Sequence, residues 1–131
     1  MKIKKSALVF LCLIILSGLL ILPAHSGAKP IKIAIASEGE ATDSQVGKLG
    51  ARCPWFLFFD QEGTLKNSLE NPYMQESEAG LKCAEFLEDH DVTIFVAGEI
   101  GGKMSQALES KGIDFISFSG TVDEAVAQAL K

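Results

Sequence analysis

"VTIFVAGEIGGKMSQALESKGIDFISFSG", residues 92–120, holds two short apolar runs on either side of a stretch with helical spacing. The first run, "VTIFVAG" (92–98), is continuous, of strand length and rich in β-branched residues, as a buried strand requires. "GGKMSQALESKG" (101–112) then reads as a helix closed by Gly112. "IDFISFSG" (113–120) returns to strand composition. Strand, helix and strand in this order make a β-α-β unit, whose two strands run parallel with a right-handed crossover.

Working outward, "TVDEAVAQALK" (121–131) supplies a last helix, with Thr121 as N-cap and Glu124 three residues on, as in a capping box. Upstream, Ala79, Cys83, Phe86, Leu87 and His90 recur at three and four residues, an amphipathic helix beginning near Glu76, with Lys82, Glu85 and Glu88 on its other face. Before it, "WFLFFD" (55–60) and "TLKNSLENP" (64–72) flank the turn "QEG" and predict an antiparallel hairpin whose second, polar arm, stopped by Pro72, lies at a sheet edge. "IKIAIAS" (31–37) is apolar at most positions and reads as a central strand buried on both faces. "EGEATDSQVGKLGAR" (38–52) has neither period and reads as a long loop. These elements predict an α/β domain with one mixed five-stranded sheet of order 3-2-1-4-5 and about three helices, the three-layer arrangement of ribonuclease-H-like folds.

The chain has 131 residues, room for one domain, and is 47% hydrophobic. Part of that excess lies at the front. Lys2, Lys4 and Lys5 precede an uncharged apolar run at 7–22, followed by "PAHSGAK" with small residues around Ser26 and Ala28. This is the pattern of a secretory signal. A run of that length also suits an uncleaved membrane anchor. In both readings residues 1–28 stand apart from a domain at 29–131, which is exported to a periplasmic or other extracytoplasmic space and touches a membrane only through 7–22. Without the three lysines, the 12 basic and 17 acidic side chains of the whole chain become 9 and 17, a net charge of −8. Such a domain lacks the basic face that nucleic acid or an anionic membrane surface requires.

Cys12 lies in the apolar run, leaving Cys53 and Cys83, neither in a C-x-x-C pair. Cys83 shares a helix face with Phe86 and Leu87 and reads as a small buried hydrophobe or as one half of a disulfide with Cys53. Cys53 reads either as the first buried residue of its strand or as a soft-metal ligand whose thiol is acidified by the neighbouring Arg52. Met104 offers a core side chain or a thioether, and His90 meets the last carbonyls of its helix or serves as a ligand. Ligands of such sheets bind beyond the carboxyl ends of the parallel strands, where the connections diverge. That point brings together Ser37, the loop carrying Asp43, Ser44 and Arg52, and the glycine turn with Gly98, Gly101, Gly102 and Lys103. The turn opens a helix, so its N–H groups and dipole favour an anion there, although glycines also simply let such units pack. It is not a nucleotide P-loop: Ala97 stands where a glycine is required and Met104 where a Ser or Thr is required. Catalysis is not expected. The domain has one histidine, at a helix end, and "IKIAIA" carries none of the carboxylates of a two-metal nuclease.

The succession "KIAIAS", "DSQVG", "GARCPWFLFFD", "EAGLKCAEFL", "VTIFVAGEIGGKMSQALESKGI" and "GTVDEAVAQAL" resembles the dinitrogenase iron–molybdenum cofactor biosynthesis domain. The resemblance implies a ribonuclease-H-like fold without nuclease activity and a carrier or chaperone of iron–molybdenum cofactor or its iron–sulfur precursors. Arg52 and Cys53 match the family's strand-entry motif, while Lys48-Leu49-Gly50-Ala51 replaces its first part and its histidine. Ser77-Glu78-Ala79-Gly80 stands where the family commonly carries His-Gly-Ala-Gly. The turn "GEIGG" matches. The expectation is a non-enzymatic binding domain for a metal or metal–sulfur species, with Ser37, Asp43, Ser44, Arg52, Gly98, Gly101, Gly102 and Lys103 at the cofactor and Cys53 as metal ligand. The alternative is a small-anion or protein-interaction module that kept the scaffold and lost the metal.

Overall fold

A computed structural model describes residues 29–131; the export segment read at 1–28 lies outside them. Strand β1 (Ile33–Ser37) is buried at all five positions, which its unbroken apolar run requires. It pairs antiparallel with β2 (Trp55–Phe59), and β2 with β3 (Leu65–Glu70); on its other side it pairs parallel with β4 (Ile94–Ala97), and β4 with β5 (Asp114–Ser117). The sheet order is β3-β2-β1-β4-β5, as the sequence predicts. Helices α1 (Ala79–Asp89), α2 (Gly102–Ser110) and α3 (Val122–Ala129) complete the domain. None of the described helices is long and apolar enough to cross a membrane.

Strand periodicity sorts the core into two layers. Ala34 and Ala36 of β1 face α1 and α2, and the space their small side chains leave is taken by Phe56 and Phe58 of β2 and Phe95 of β4. Ile33 and Ile35 point the other way and, with Leu57 and Val96, pack under Val122, Ala125 and Val126 of α3. In the layer facing α1 and α2, large residues on one strand thus stand beside small ones on the next. Cys83 and Met104 are core residues, at 0% and 2% exposure. His90 caps the end of α1, its Nδ1 2.8 Å from the Phe86 carbonyl and its ring centroid 4.4 Å from that of Phe86, the two planes inclined at 46°.

The local signals act where the sequence places them. Thr121 and Glu124 form a reciprocal capping box at the start of α3. Gly112, at φ 72°, ends α2 in the left-handed region that suits glycine. The Asp60 carboxylate accepts the N–H groups of Thr64 and Glu62 in the β2–β3 turn, which holds its pKa below the usual value. One expectation changes. Helix α1 begins at Ala79 rather than near Glu76, because Glu78 adopts a left-handed conformation with φ 59°. The stretch at 38–52 is the long loop its composition predicts, and it is anchored through isolated bridges of Val46 to Ser37, Gln45 to Thr121 and Leu49 to Glu99.

Candidate binding site

The last of those bridges decides where a ligand can sit. Beyond β4, the Gly98 N–H donates to the Gly47 carbonyl (2.8 Å), the Glu99 N–H to Lys48 (2.7 Å) and the Gly50 N–H to Glu99 (2.8 Å). The chain at 47–50 therefore lies across the end of β4 and fills the gap between β1 and β4 with backbone. Gly98 belongs to this closure: a Cβ there would stand 2.8 Å from the Lys48 oxygen and 3.0 Å from its Cα. The opening is displaced toward α1 and α2. There a pocket of about 400 Å³ is floored by Gly50 and Ala51 and walled by Arg52, Gly80, Gly102 and Lys103.

Two helix N-termini converge on this pocket. Neither α1 nor α2 has a side-chain cap or an acidic residue in its first turn, whereas α3 has both. The first N–H groups of α1 and α2 and the positive ends of their dipoles therefore remain available to an anion. The helices approach closely because Gly80 has no side chain; a Cβ on it would lie 3.1 Å from the Met104 Cβ. Gly101 and Gly102 differ from both Gly80 and Gly98: nothing lies within 4 Å of a Cβ built on either. Gly101 has φ −66°, a conformation open to any residue. Nothing within the protein requires glycine at these two positions.

Arg52 is held for its place. Its Nη1 donates to the carbonyls of Met74 and Glu76, both at 3.0 Å. Asn71, buried, donates from Nδ2 to the carbonyls on either side of Arg52, Ala51 (3.0 Å) and Cys53 (2.9 Å). Lys103 stands opposite, its Nζ 3.4 Å from the Glu78 carboxylate.

The structure thus gathers Arg52, Gly101, Gly102 and Lys103 of the expected residues and separates the others. Gly98 lies under the crossing chain. Ser37 is fully buried, its Oγ bonded to the Gly39 carbonyl at 2.6 Å, and Asp43 and Ser44 lie outside the pocket in a turn where the Ser44 carbonyl accepts the Val122 N–H. Cys53 is corrected in one respect. Arg52 does not acidify it: the thiol turns inward, 3.2 Å from the Trp55 carbonyl, and burial pushes its pKa up to about 12. Adjacent residues entering a strand point to opposite faces, so the guanidinium goes outward as the sulfur goes in. Cys83 rises to about 11, again through burial, opposed by its hydrogen bond to Asn71 and the charge of Arg52. Both cysteines are free thiols, so the disulfide reading is not met. Their sulfurs lie beneath the pocket floor, 3.7 Å from the Gly50 carbonyl for Cys53 and 3.6 Å from the Ala51 carbonyl for Cys83. Among the described residues, no three or more His, Cys, Asp or Glu side chains are grouped so as to hold a metal ion. Sequence reasoning missed Gly80, Asn71 and Glu78. A glycine within a helical pattern signals the first; the other two carry no local signal.

Sheet order, strand-end pocket and paired helix N-termini define a small α/β domain with a pocket at the carboxyl edge of its parallel strands. The chain belongs to the dinitrogenase iron-molybdenum cofactor family, whose model matches residues 29–131. Among solved structures it is similar to the apo form of the orange protein from Desulfovibrio gigas, with 27% identity and a TM-score of 0.72 over 79% of this chain and 90% of that one. It is also similar to a putative NifB protein from Thermotoga, with 28% identity and a TM-score of 0.65 over 76% of this chain and 86% of that one. No match is found among the curated proteins.

Proposed function

We propose that this protein is a non-enzymatic carrier that holds an anionic metal–sulfur species, of the iron–molybdenum or iron–sulfur type, in the pocket between the N-termini of α1 and α2. One observation carries the reading: Gly101 and Gly102 leave open space at a helix start without a side-chain cap, beside Arg52 and Lys103, where no neighbouring atom excludes a side chain. Sulfide-bridged clusters are anions with several acceptor atoms. Backbone N–H groups, a guanidinium and an ammonium match them by charge and hydrogen bonding. Family membership and the likeness to the orange protein support the choice of cargo over other anions.

The donors that line the pocket fit a cradle rather than direct ligation, because both sulfurs are buried beneath the floor against backbone carbonyls and do not face the pocket. Ligation by Cys53 would require residues 50–54 to swing its sulfur from beneath the floor. A second reading, a carrier of a simple oxyanion such as sulfate or phosphate, uses the same pocket and is favoured by the lack of a ligating cluster among the described residues. The exported setting is part of the proposal and is supported by the basic, apolar and small-residue succession of residues 1–28.

Anaerobic titration with tetrathiomolybdate, followed by its charge-transfer absorption, tests the reading. Saturable binding by the wild type is expected, weakened roughly tenfold or more by Arg52→Ala or Lys103→Ala, as loss of a charge-assisted hydrogen bond implies. Cys53→Ser should bind as the wild type does. Equal affinity of the wild type and both cation variants would refute the cradle, and displacement of the probe by equimolar sulfate or phosphate would favour the oxyanion.

A further inference from the structure

Just outside the pocket lining stands an acidic residue that reaches the cradle through Lys103. Glu78 precedes α1 with φ 59° and ψ 33°, one of two non-glycine residues with positive φ among those described. A left-handed glutamate is uncommon, and such backbone strain persists where something uses it. Both its carboxylate oxygens reach Lys103 Nζ, each at 3.4 Å, across 25 positions of sequence. This contact joins the first turns of α1 and α2 at the pocket wall, and it occupies the lysine on which the cradle relies. The pair is open to water, with side-chain exposures of 73% for Lys103 and 49% for Glu78, so it can exchange partners without a desolvation cost. Glu99, unlike Glu78, lines the pocket itself, and it makes no ion pair among the described residues.

We infer that Glu78 is a built-in competitor for the pocket: its carboxylate holds Lys103 while the pocket is empty, and an incoming anion must displace it, so that Glu78 sets how tightly cargo is held and how readily it is released. The inference rests on the cradle reading above and adds an affinity-setting residue to it. A carrier must hand over its cargo, and a competing carboxylate tethered beside the site recaptures the lysine as the anion departs. No reaction is involved; one ion pair is exchanged for another.

The test is a double-mutant cycle with tetrathiomolybdate as probe, using wild type, Glu78→Gln, Lys103→Met and the double variant. Gln keeps the length and the left-handed backbone cost of Glu, so folding is matched. Glu78→Gln is expected to bind about two- to five-fold more tightly than wild type, the range an exposed ion pair supports, and to release the probe correspondingly more slowly. In the Lys103→Met background the same change should have no effect. An equal gain in both backgrounds would mean simple charge repulsion and would overturn the inference; Glu99→Gln, which has no lysine partner, shows the size of that effect. Unchanged or weaker binding by Glu78→Gln, with the wild type still binding, overturns the competitor and leaves the cradle intact. Absence of binding by the wild type and all variants overturns both.

Discussion

Gly98→Ala separates packing from binding in the glycine turn. A Cβ at this position would meet the Lys48 oxygen at 2.8 Å, the Lys48 Cα at 3.0 Å and the Gly47 oxygen at 3.2 Å. All three are backbone atoms, so no side-chain rotation relieves the contact. Overpacking of this kind costs about 1–3 kcal/mol. If the crossing chain withdraws instead, it stretches the bonds of the Gly98 and Glu99 N–H groups to the Gly47 and Lys48 carbonyls, each contributing roughly 0.5–1.5 kcal/mol. Either route costs about 1–3 kcal/mol and a mixture costs no more, so the destabilisation is about 1–3 kcal/mol, a large part of the total stability of a small domain. Urea denaturation followed by the fluorescence of Trp55 measures it, with the midpoint moving to lower denaturant and the slope unchanged. A loss below about 0.5 kcal/mol would show that the chain at 47–50 has slack, and the argument that it seals the sheet edge would fail.

Thr121→Ala removes one half of the α3 capping box and should cost about 1 kcal/mol in the same assay, with Thr121→Ser recovering most of it. Cys53 and Cys83 should resist iodoacetamide in the native protein at pH 8 and react once it is unfolded, since burial raises both thiol pKa values. The same shifts set a pH dependence. Above the unfolded thiol value near 9.0 the unfolded chain loses protons that the folded one keeps, so stability is full below about pH 9 and falls as pH rises toward 11 and 12. The double variant Cys53→Ala/Cys83→Ala should have a flatter alkaline limb in pH-dependent denaturation; an unchanged limb would contradict the burial argument.

Residues 92–131 were legible because each element there carries its own signal: a β-branched run, a helical period, a terminal glycine, a capping box. The sheet order followed from the central apolar strand and the hairpin. The anchoring of residues 38–52 was not legible, since it proceeds through backbone bridges at Val46, Gln45 and Leu49 that leave no period in side-chain type. Of the expected site residues, Arg52, Gly101, Gly102 and Lys103 line one pocket, the last three because the turn between β4 and α2 places them at the end of the sheet. Of the two readings of Cys53, burial at the strand entry is the one its geometry matches, and acidification by Arg52 fails because strand geometry sends the two side chains apart. Glycines 98, 101 and 102 look alike in sequence. Only the structure shows that the first is required by a crossing backbone and the other two face open space.

That difference gives the most direct measurement of the central claim: the affinity of anaerobic protein for tetrathiomolybdate, compared between wild type and Gly101→Ala/Gly102→Ala. The added methyl groups meet nothing within the protein; alanine is the better residue at Gly102 in the first turn and the poorer one at the N-cap Gly101, so the variant should stay within about 1 kcal/mol of wild-type stability. The cradle predicts that this folded variant loses binding by tenfold or more, because its methyl groups occupy the space the cargo would take. A variant that is stable and binds as the wild type does would contradict the account.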